Sequence, residues 1–371
     1  MRLIILATLC LTLGVSLVNA QIQPEIIGPS EAMPAPGENW FMLVSGDAGY
    51  VFDASNGEMH GLISVSGDTP AVQSSPARRE FYAAATYYSR GSYGDRTDVL
   101  TIHDFNNLSP VAEVEIPKKM AVSRFRSYIG LMSNGKHVGI SNVTPALSVS
   151  IVDVENRSFV GEIMTPGCSL IMPVGNNDFM TICGDGTLML IELDDNGNES
   201  NRVRSSKFFD VHEDAVFDNP VETGDGWLLV SHGGKAIEVS TSGSRINVSD
   251  AWEIVTAEDA AAGWWPGGGQ VATVHKDLGL AYVTMHQGQK YSHHEFGTEI
   301  WVVNLSTRQR LERIEFEVPV GGIMVTQEAN PLLIAVDEEG SLLVYDAVTY
   351  EHERTIVGPT PGPFGSAFED L

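Results

Sequence analysis

The chain has 371 residues, 48 of them acidic against 22 Lys and Arg, for a formal net charge of −26 at pH 7. A field of that sign repels phosphate backbones and anionic lipid surfaces, which excludes nucleic acid and membrane as partners and favours solubility or a basic partner. The length could hold two or three average domains, but no Pro-, Gly- or Ser-rich linker divides it.

At the N-terminus, Arg2 precedes an apolar run from Leu3 to Val18, followed by Val18-Asn19-Ala20 before Gln21. This order of charged, apolar and small residues predicts a secretory signal peptide over residues 1–20, cleaved after Ala20. The run contains Gly14 and is short for a membrane span. Cys10 lies inside it without a small-residue cleavage site, so a lipid anchor is not expected. Loss of Arg2 takes the mature chain, residues 21–371, to −27.

From there a strand-like phrase ending in a polar turn recurs seven times: YVFDASNG, LTIHDFNN, VSIVDVEN, LIELDDNG, AIEVSTSG, IWVVNLST and LLVYDAVT. Its turn-entry residues are Asp53, Asp104, Asp153, Asp194, Ser240, Asn304 and Asp346, spaced 51, 49, 41, 46, 64 and 42 residues apart. Asp, Asn and Ser suit such a turn because their side chains can bond the backbone two residues on. A period of this size, with strands and little helical periodicity, predicts one all-β domain over residues 21–371, a seven-bladed β-propeller with four strands per blade.

Between the first two phrases, Thr86 to Asp98 reads TYYSRGSYGDRTD and holds Tyr87, Tyr88, Tyr93, Arg90 and Arg96. Aromatics in a propeller loop can line a ligand pocket or an interface, or pack between blades, and both readings stay open. Further on, Cys168 and Cys183 are the cysteines left after signal removal. An even pair on neighbouring strand-like segments of an exported chain reads as a disulfide rather than two buried thiols. Closing that loop would contribute on the order of 3 kcal/mol.

No catalytic motif emerges along the chain. There is no G-x-S-x-G elbow, H-E-x-x-H helix, phosphate loop or dinucleotide fingerprint. Gly267-Gly268-Gly269 lacks a Lys or Ser/Thr placed to hold phosphate and reads as a tight loop. His286, His293 and His294 could ligate zinc by residue type, yet neighbouring strand residues point to opposite faces and no Cys or acidic ligand has diagnostic spacing nearby. They read as solvated loop histidines. Asp194-Asp195, Glu258-Asp259 and Glu338-Glu339 fall in or near turns, where acid-base pairs look like surface charge. The residues therefore predict no catalytic, cofactor-binding or metal-binding set in this chain.

From Gly263 the text becomes specific: GWWPGGGQVATVHKDLGLAYVTMHQGQKYSHHEFGTEIWVVNLSTRQRLERI. It resembles the heavy subunit of the quinoprotein amine dehydrogenases, the methylamine and aromatic amine enzymes. TPALSVSIVDV from Thr144, CSLIMPVGNNDFMTICGDGTL from Cys168, the T-x-x-x-R-x-x-x-G-x-R-T-D pattern from Thr86 and the ending SLLVYDAVTYEHERTI extend the resemblance from about Tyr50 to the C-terminus. FMTICGDG and EIWVVNLSTRQR are closer to the aromatic amine branch.

The resemblance implies a periplasmic subunit of an oxidoreductase acting on CH–NH2 donors, with two heavy and two light chains. It places tryptophan tryptophylquinone on the light chain and no cofactor on this one. It further implies that primary amines are oxidised to aldehyde and ammonia, and that electrons pass to a cupredoxin of the azurin or amicyanin type. The heavy chain would hold the light chain and form part of the substrate channel. Tyr88 falls where the methylamine branch has an aromatic channel gate, and Cys168 with Cys183 fall on the family's heavy-chain disulfide. The alternatives are a free-standing secreted propeller that binds a ligand or protein without redox chemistry and, last, a propeller binding pyrroloquinoline quinone, for which the chain lacks a Trp-docking phrase in each blade.

Overall fold

The strand Glu80–Tyr88 shows why this sequence builds layers of sheet. Phe81 and Ala83 point into one apolar cluster with Met42, Val51 and Ile63, whereas Tyr82 and Ala84 point into the next with Leu100, Ile140 and Val152. A strand buried on both faces needs apolar residues at odd and even positions alike, hence FYAAA rather than an alternating pattern. Each large side chain so buried contributes about 1.5–3 kcal/mol relative to exposure.

The computed structural model describes residues 32–67, 71–118, 125–359 and 367–371. The secretory signal expected at residues 1–20 lies outside them. Ala32–Leu371 form one compact unit, almost wholly of antiparallel strands, with the helix Ala257–Ala261 and the 3-10 turn Arg126–Tyr128 as the helical elements among the described residues.

Five sheets are of blade size. The first joins Trp40–Ser45, Ala48–Asp53 and Met59–Ser64 to the C-terminal strand Ala367–Asp370. The second runs from Val72–Ser75 to Pro110–Ile116, the third from Ile129–Leu131 to Ser158–Met164, and the fourth from Cys168–Val174 to Glu199–Arg204. A fifth, from Val221–Glu222 to Arg245–Val248, gains Trp252–Glu253 as an additional strand. The remaining strands, from Trp264–Pro266 to His352–Ile356, form a single eight-stranded sheet.

The expectation of seven four-stranded blades is corrected by this pairing: the architecture is an all-β propeller, but with five separate blade-sized sheets and one continuous large one. The cause is the strand Gln309–Val325. Its first half pairs with Gly297–Asn304 and its second half with Leu332–Asp337. Between them, Glu315-Phe316-Glu317-Val318-Pro319 offers no Gly, Asn or Asp to turn the chain, so the backbone stays extended through the change of partner. Pro319 is tolerated there with its carbonyl accepting the Glu338 N–H at 3.1 Å.

The polar turn entries act through one device. Side-chain oxygens accept backbone N–H groups two or three residues on: Asp53 from Ser55 at 2.7 Å, Asp104 from Asn106 at 2.8 Å and Asp153 from Asn156 at 2.8 Å. Asp194 accepts from Asn196 at 2.9 Å, Asn304 from Thr307 at 2.8 Å and Asp346 from Val348 at 2.8 Å. Ser240 departs from the series. It lies inside the strand Lys235–Ser242, opposite Asn247, and the chain turns only at Gly243.

The ends of the chain close the ring of sheets. Glu369 accepts from the Ser74 N–H at 2.8 Å, the Ser74 hydroxyl at 2.7 Å and the Gln73 amide at 2.9 Å, and pairs with Arg126. The C-terminal strand thus completes the first sheet, covering the edge of Trp40–Ser45, and is fastened to the second sheet by the Glu369 side chain.

Candidate functional site: the loop face

Because strands alternate in direction, the connections between the second and third strands of every sheet leave by the same end. Residues 89–95, 143–147, 184–187, 231–234 and 288–296 are such connections, and they are joined at that end by the long crossover 205–220. At this loop face lies a cavity of about 440 Å³ with apolar walls that include Phe125, Leu170 and Phe217. Among the described residues the titratable side chains lining it are Asp218, His232, His293 and His294, with no Lys or Arg.

Local chemistry fixes each of these groups. Asp214 accepts the Gly233 N–H at 2.6 Å and the Ser231 hydroxyl at 2.9 Å, which sets the turn that presents His232. A Cβ on Gly233 would meet that carboxylate at 2.8 Å, so a larger residue here would displace the Asp214 side chain from these bonds. The loop 288–296 is tied to the crossover by the Tyr291 hydroxyl, which donates to the Glu213 carbonyl at 2.8 Å. It is tied to the glycine run by the Gly268 N–H, which donates to the His293 carbonyl at 3.1 Å. Gly267 lies so close beneath it that a Cβ would stand 2.5 Å from the Glu295 carbonyl and 2.6 Å from His286 Nδ1. The tight-loop reading of Gly267-Gly268-Gly269 therefore has a packing cause.

Three imidazoles cluster across the cavity, two of them stacked. His232 lies over His293 with centroids 4.0 Å apart and planes at 14°, and His293 meets His294 at 4.2 Å. Phe217 turns its ring against His232, with centroids 4.5 Å apart. Burial, reinforced by His293, pushes the His232 pKa down to about 4, and burial with His294 lowers that of His293. Both rings are neutral at pH 7. Asp218 moves the other way: solvent reaches it, but the concave wall around it raises its pKa.

The residues singled out in the sequence part company here. His293 and His294 are in the cluster, but His286 is buried behind it and shares a 2.7 Å hydrogen bond with Ser292. Among the described residues no group of three or more His, Cys, Asp or Glu is placed to hold a metal ion. Cys168 and Cys183 face each other on paired strands and form the expected disulfide, with Cys183 on the cavity wall.

Tyr88 ends the strand Glu80–Tyr88, half-buried opposite Arg96, where its carbonyl accepts the Gly91 N–H at 3.2 Å. It belongs to the same loop face but not to the lining of this cavity. Its neighbours Tyr87 and Tyr93 are exposed, while Arg96 forms a two-pronged pair with Asp98 at 2.9 and 2.8 Å. Asp218 and His232 were missed in the sequence. The only signals there were the turn formers beside them, Asn219-Pro220 and Gly233-Gly234.

A second cavity, of about 480 Å³, runs between the inner strands and opens toward the opposite connections. Gln73, Arg126, Gln270, Glu369 and Asp370 are on its wall. Burial, then Glu328 and Glu369, pushes the Asp370 pKa up to about 7.

The GWWP segment is structural. Arg313 lies over Trp264 at 4.6 Å and over Trp301 at 5.0 Å, and it bonds Glu299 at 2.6 and 2.7 Å. Arg310 covers Trp301 at 4.1 Å and pairs with Asp259 at 2.9 Å. Among the described residues no helix is long and apolar enough to cross a membrane.

Antiparallel sheets arranged in a ring, with the first sheet completed by the C-terminal strand, define a β-propeller whose loop face carries the histidine-lined cavity. Two solved structures share this fold. One is a functionally unknown protein from Desulfotomaculum acetoxidans (TM-score 0.61, 12% identity, 90% of this chain and 99% of that one). The other is dihydro-heme d1 dehydrogenase (TM-score 0.56, 18% identity, 93% and 79%). The chain belongs to the methylamine dehydrogenase heavy chain family, whose family model matches residues 39–363. The methylamine dehydrogenase heavy chain of Methylobacillus flagellatus is 30% identical over 304 residues, covering 81% of this chain and 76% of that one. Its counterpart in Paracoccus versutus is 26% identical over 319 residues, covering 85% and 74%.

Proposed function

We infer that this protein is the heavy subunit of a periplasmic amine dehydrogenase. In this reading it holds a light chain bearing tryptophan tryptophylquinone, in an assembly of two heavy and two light chains, and walls part of the passage by which a primary amine reaches the quinone. When bound, that group supplies the electrophilic carbonyl and accepts the electrons, which a cupredoxin then removes. The observation that carries the reading is the family match across residues 39–363, which spans the sheets and the loop face together.

This chain's own tryptophans do not suit the quinone. The close indole pair, Trp264 and Trp301, is buried and has Arg313 lying over both rings. The redox chemistry is therefore assigned to the partner. Tyr88, at the root of the 89–95 loop, is assigned to the channel wall.

Purification of the exported protein from its native host tests this. Co-elution with a small cysteine-rich chain that carries quinone absorbance and oxidises primary amines is expected. A colourless chain eluting alone, from cells that grow on a primary amine, would overturn the reading in favour of a free-standing binding propeller.

A further inference from the structure

Asp218 is, among the described residues, the one carboxylate on the wall of the loop-face cavity. Among the described residues its carboxylate has no hydrogen bond or ion pair within 4 Å, whereas the turn carboxylates Asp53, Asp104, Asp153 and Asp346 each accept a backbone N–H. The imidazoles of His232 and His293, uncharged at pH 7 for the reasons above, share the wall with it, as do Phe217 and Phe125. The excess of acidic over basic residues in the whole chain adds to the negative potential.

A single uncompensated carboxylate in an apolar, aromatic-walled hollow complements a ligand with one positive charge and an apolar body. The charge pairs with the carboxylate, and the body displaces water from the apolar walls. A cavity of about 440 Å³ falls in the size range of small-molecule sites.

We propose that this cavity is a binding site for a small primary alkyl- or arylalkylammonium ion, with Asp218 pairing with the ammonium group and His232, His293 and Phe217 lining the space for the carbon chain. The site rests on the reading of the protein as an amine dehydrogenase subunit. It would serve as a collecting site on the heavy chain, separate from Tyr88, where protonated amine is held before it moves to the light chain. No bond is made or broken there.

Titration calorimetry on the full mature chain, without its light chain, tests the site with benzylamine, its neutral isostere benzyl alcohol, and methylamine. Saturable binding of benzylamine is expected, with at least tenfold weaker binding of benzyl alcohol and at least tenfold weaker binding of benzylamine to Asp218→Asn. Methylamine should bind more weakly than benzylamine because it leaves the aromatic wall unfilled. Equal affinity for benzylamine and benzyl alcohol would show an apolar hollow without ammonium recognition and would overturn the proposal, whether or not the variant folds. Unchanged affinity in a folded Asp218→Asn chain would also overturn it. The two readings fail separately: a chain that co-elutes with an active quinone partner but binds no amine refutes only the collecting site. A colourless solitary chain that binds benzylamine refutes only the assignment as an amine dehydrogenase subunit.

Discussion

Replacing Arg313 by Met tests the packing that holds the loop face in place. Glu299 is 6% exposed, and its carboxylate receives two hydrogen bonds from Arg313 and one from the Trp301 indole N–H at 2.7 Å. Methionine retains an apolar body between Trp264 and Trp301 and removes the charge, leaving Glu299 buried with the indole as its donor. Breaking a buried pair from one side costs about 3–5 kcal/mol. The Arg313 side chain is 36% exposed, so water can reach part of the vacated space and about 2–3 kcal/mol is the working figure. For a chain of this length the unfolding entropy is about 0.7 kcal/mol per degree, so the melting midpoint should fall by about 3–4 °C. The assay is thermal unfolding followed by far-ultraviolet circular dichroism, with Glu299→Gln added to Arg313→Met as a control. The double variant should regain at least half the loss, because the stranded charge is gone. A single variant melting within about 1 °C of the parent, or a double variant melting no higher than the single one, would refute the argument.

The folded chain binds a proton at Asp370 that the unfolded chain releases, because burial raises that pKa from 3.8 to about 7. The stability this group contributes is therefore present at acid pH and lost as pH rises from about 4 toward 7. Asp370→Asn should raise the melting temperature at pH 8 and do so less at pH 5; an equal shift at both would contradict the linkage. Gly267→Ala should destabilise the protein by about 1–3 kcal/mol through overpacking against Glu295 and His286, and an unaltered denaturant midpoint would show that the 288–296 loop yields freely. Tyr88→Ala, in the assembled enzyme, should change the ratio of kcat/KM for an aromatic over a short aliphatic amine by an amount worth about 1–3 kcal/mol. An unchanged ratio with a much lower melting temperature would make Tyr88 a packing residue.

The all-β class, the disulfide, six of the seven polar turn entries and the family are legible in the residues alone, because each is written in local or ordered patterns. An Asp at a strand end bonds N–H groups two or three residues on, and two cysteines on adjacent strands meet whenever those strands pair. The number of separate sheets and the make-up of the loop-face cavity, by contrast, emerge from long-range pairing. The run from Gln309 to Val325 reads like two strands, and its continuity depends on the partners it finds on either side. His232 and His293 are 61 residues apart in sequence yet their rings lie 4.0 Å from each other, while His286, with a better claim by spacing, is buried behind them. Nothing local marks Asp218; folding places it on the cavity wall, with no hydrogen-bond or ion-pair partner among the described residues. Contacts between distant connections arise from closure of the ring of sheets, and no local pattern of residues encodes which loops that closure will bring together.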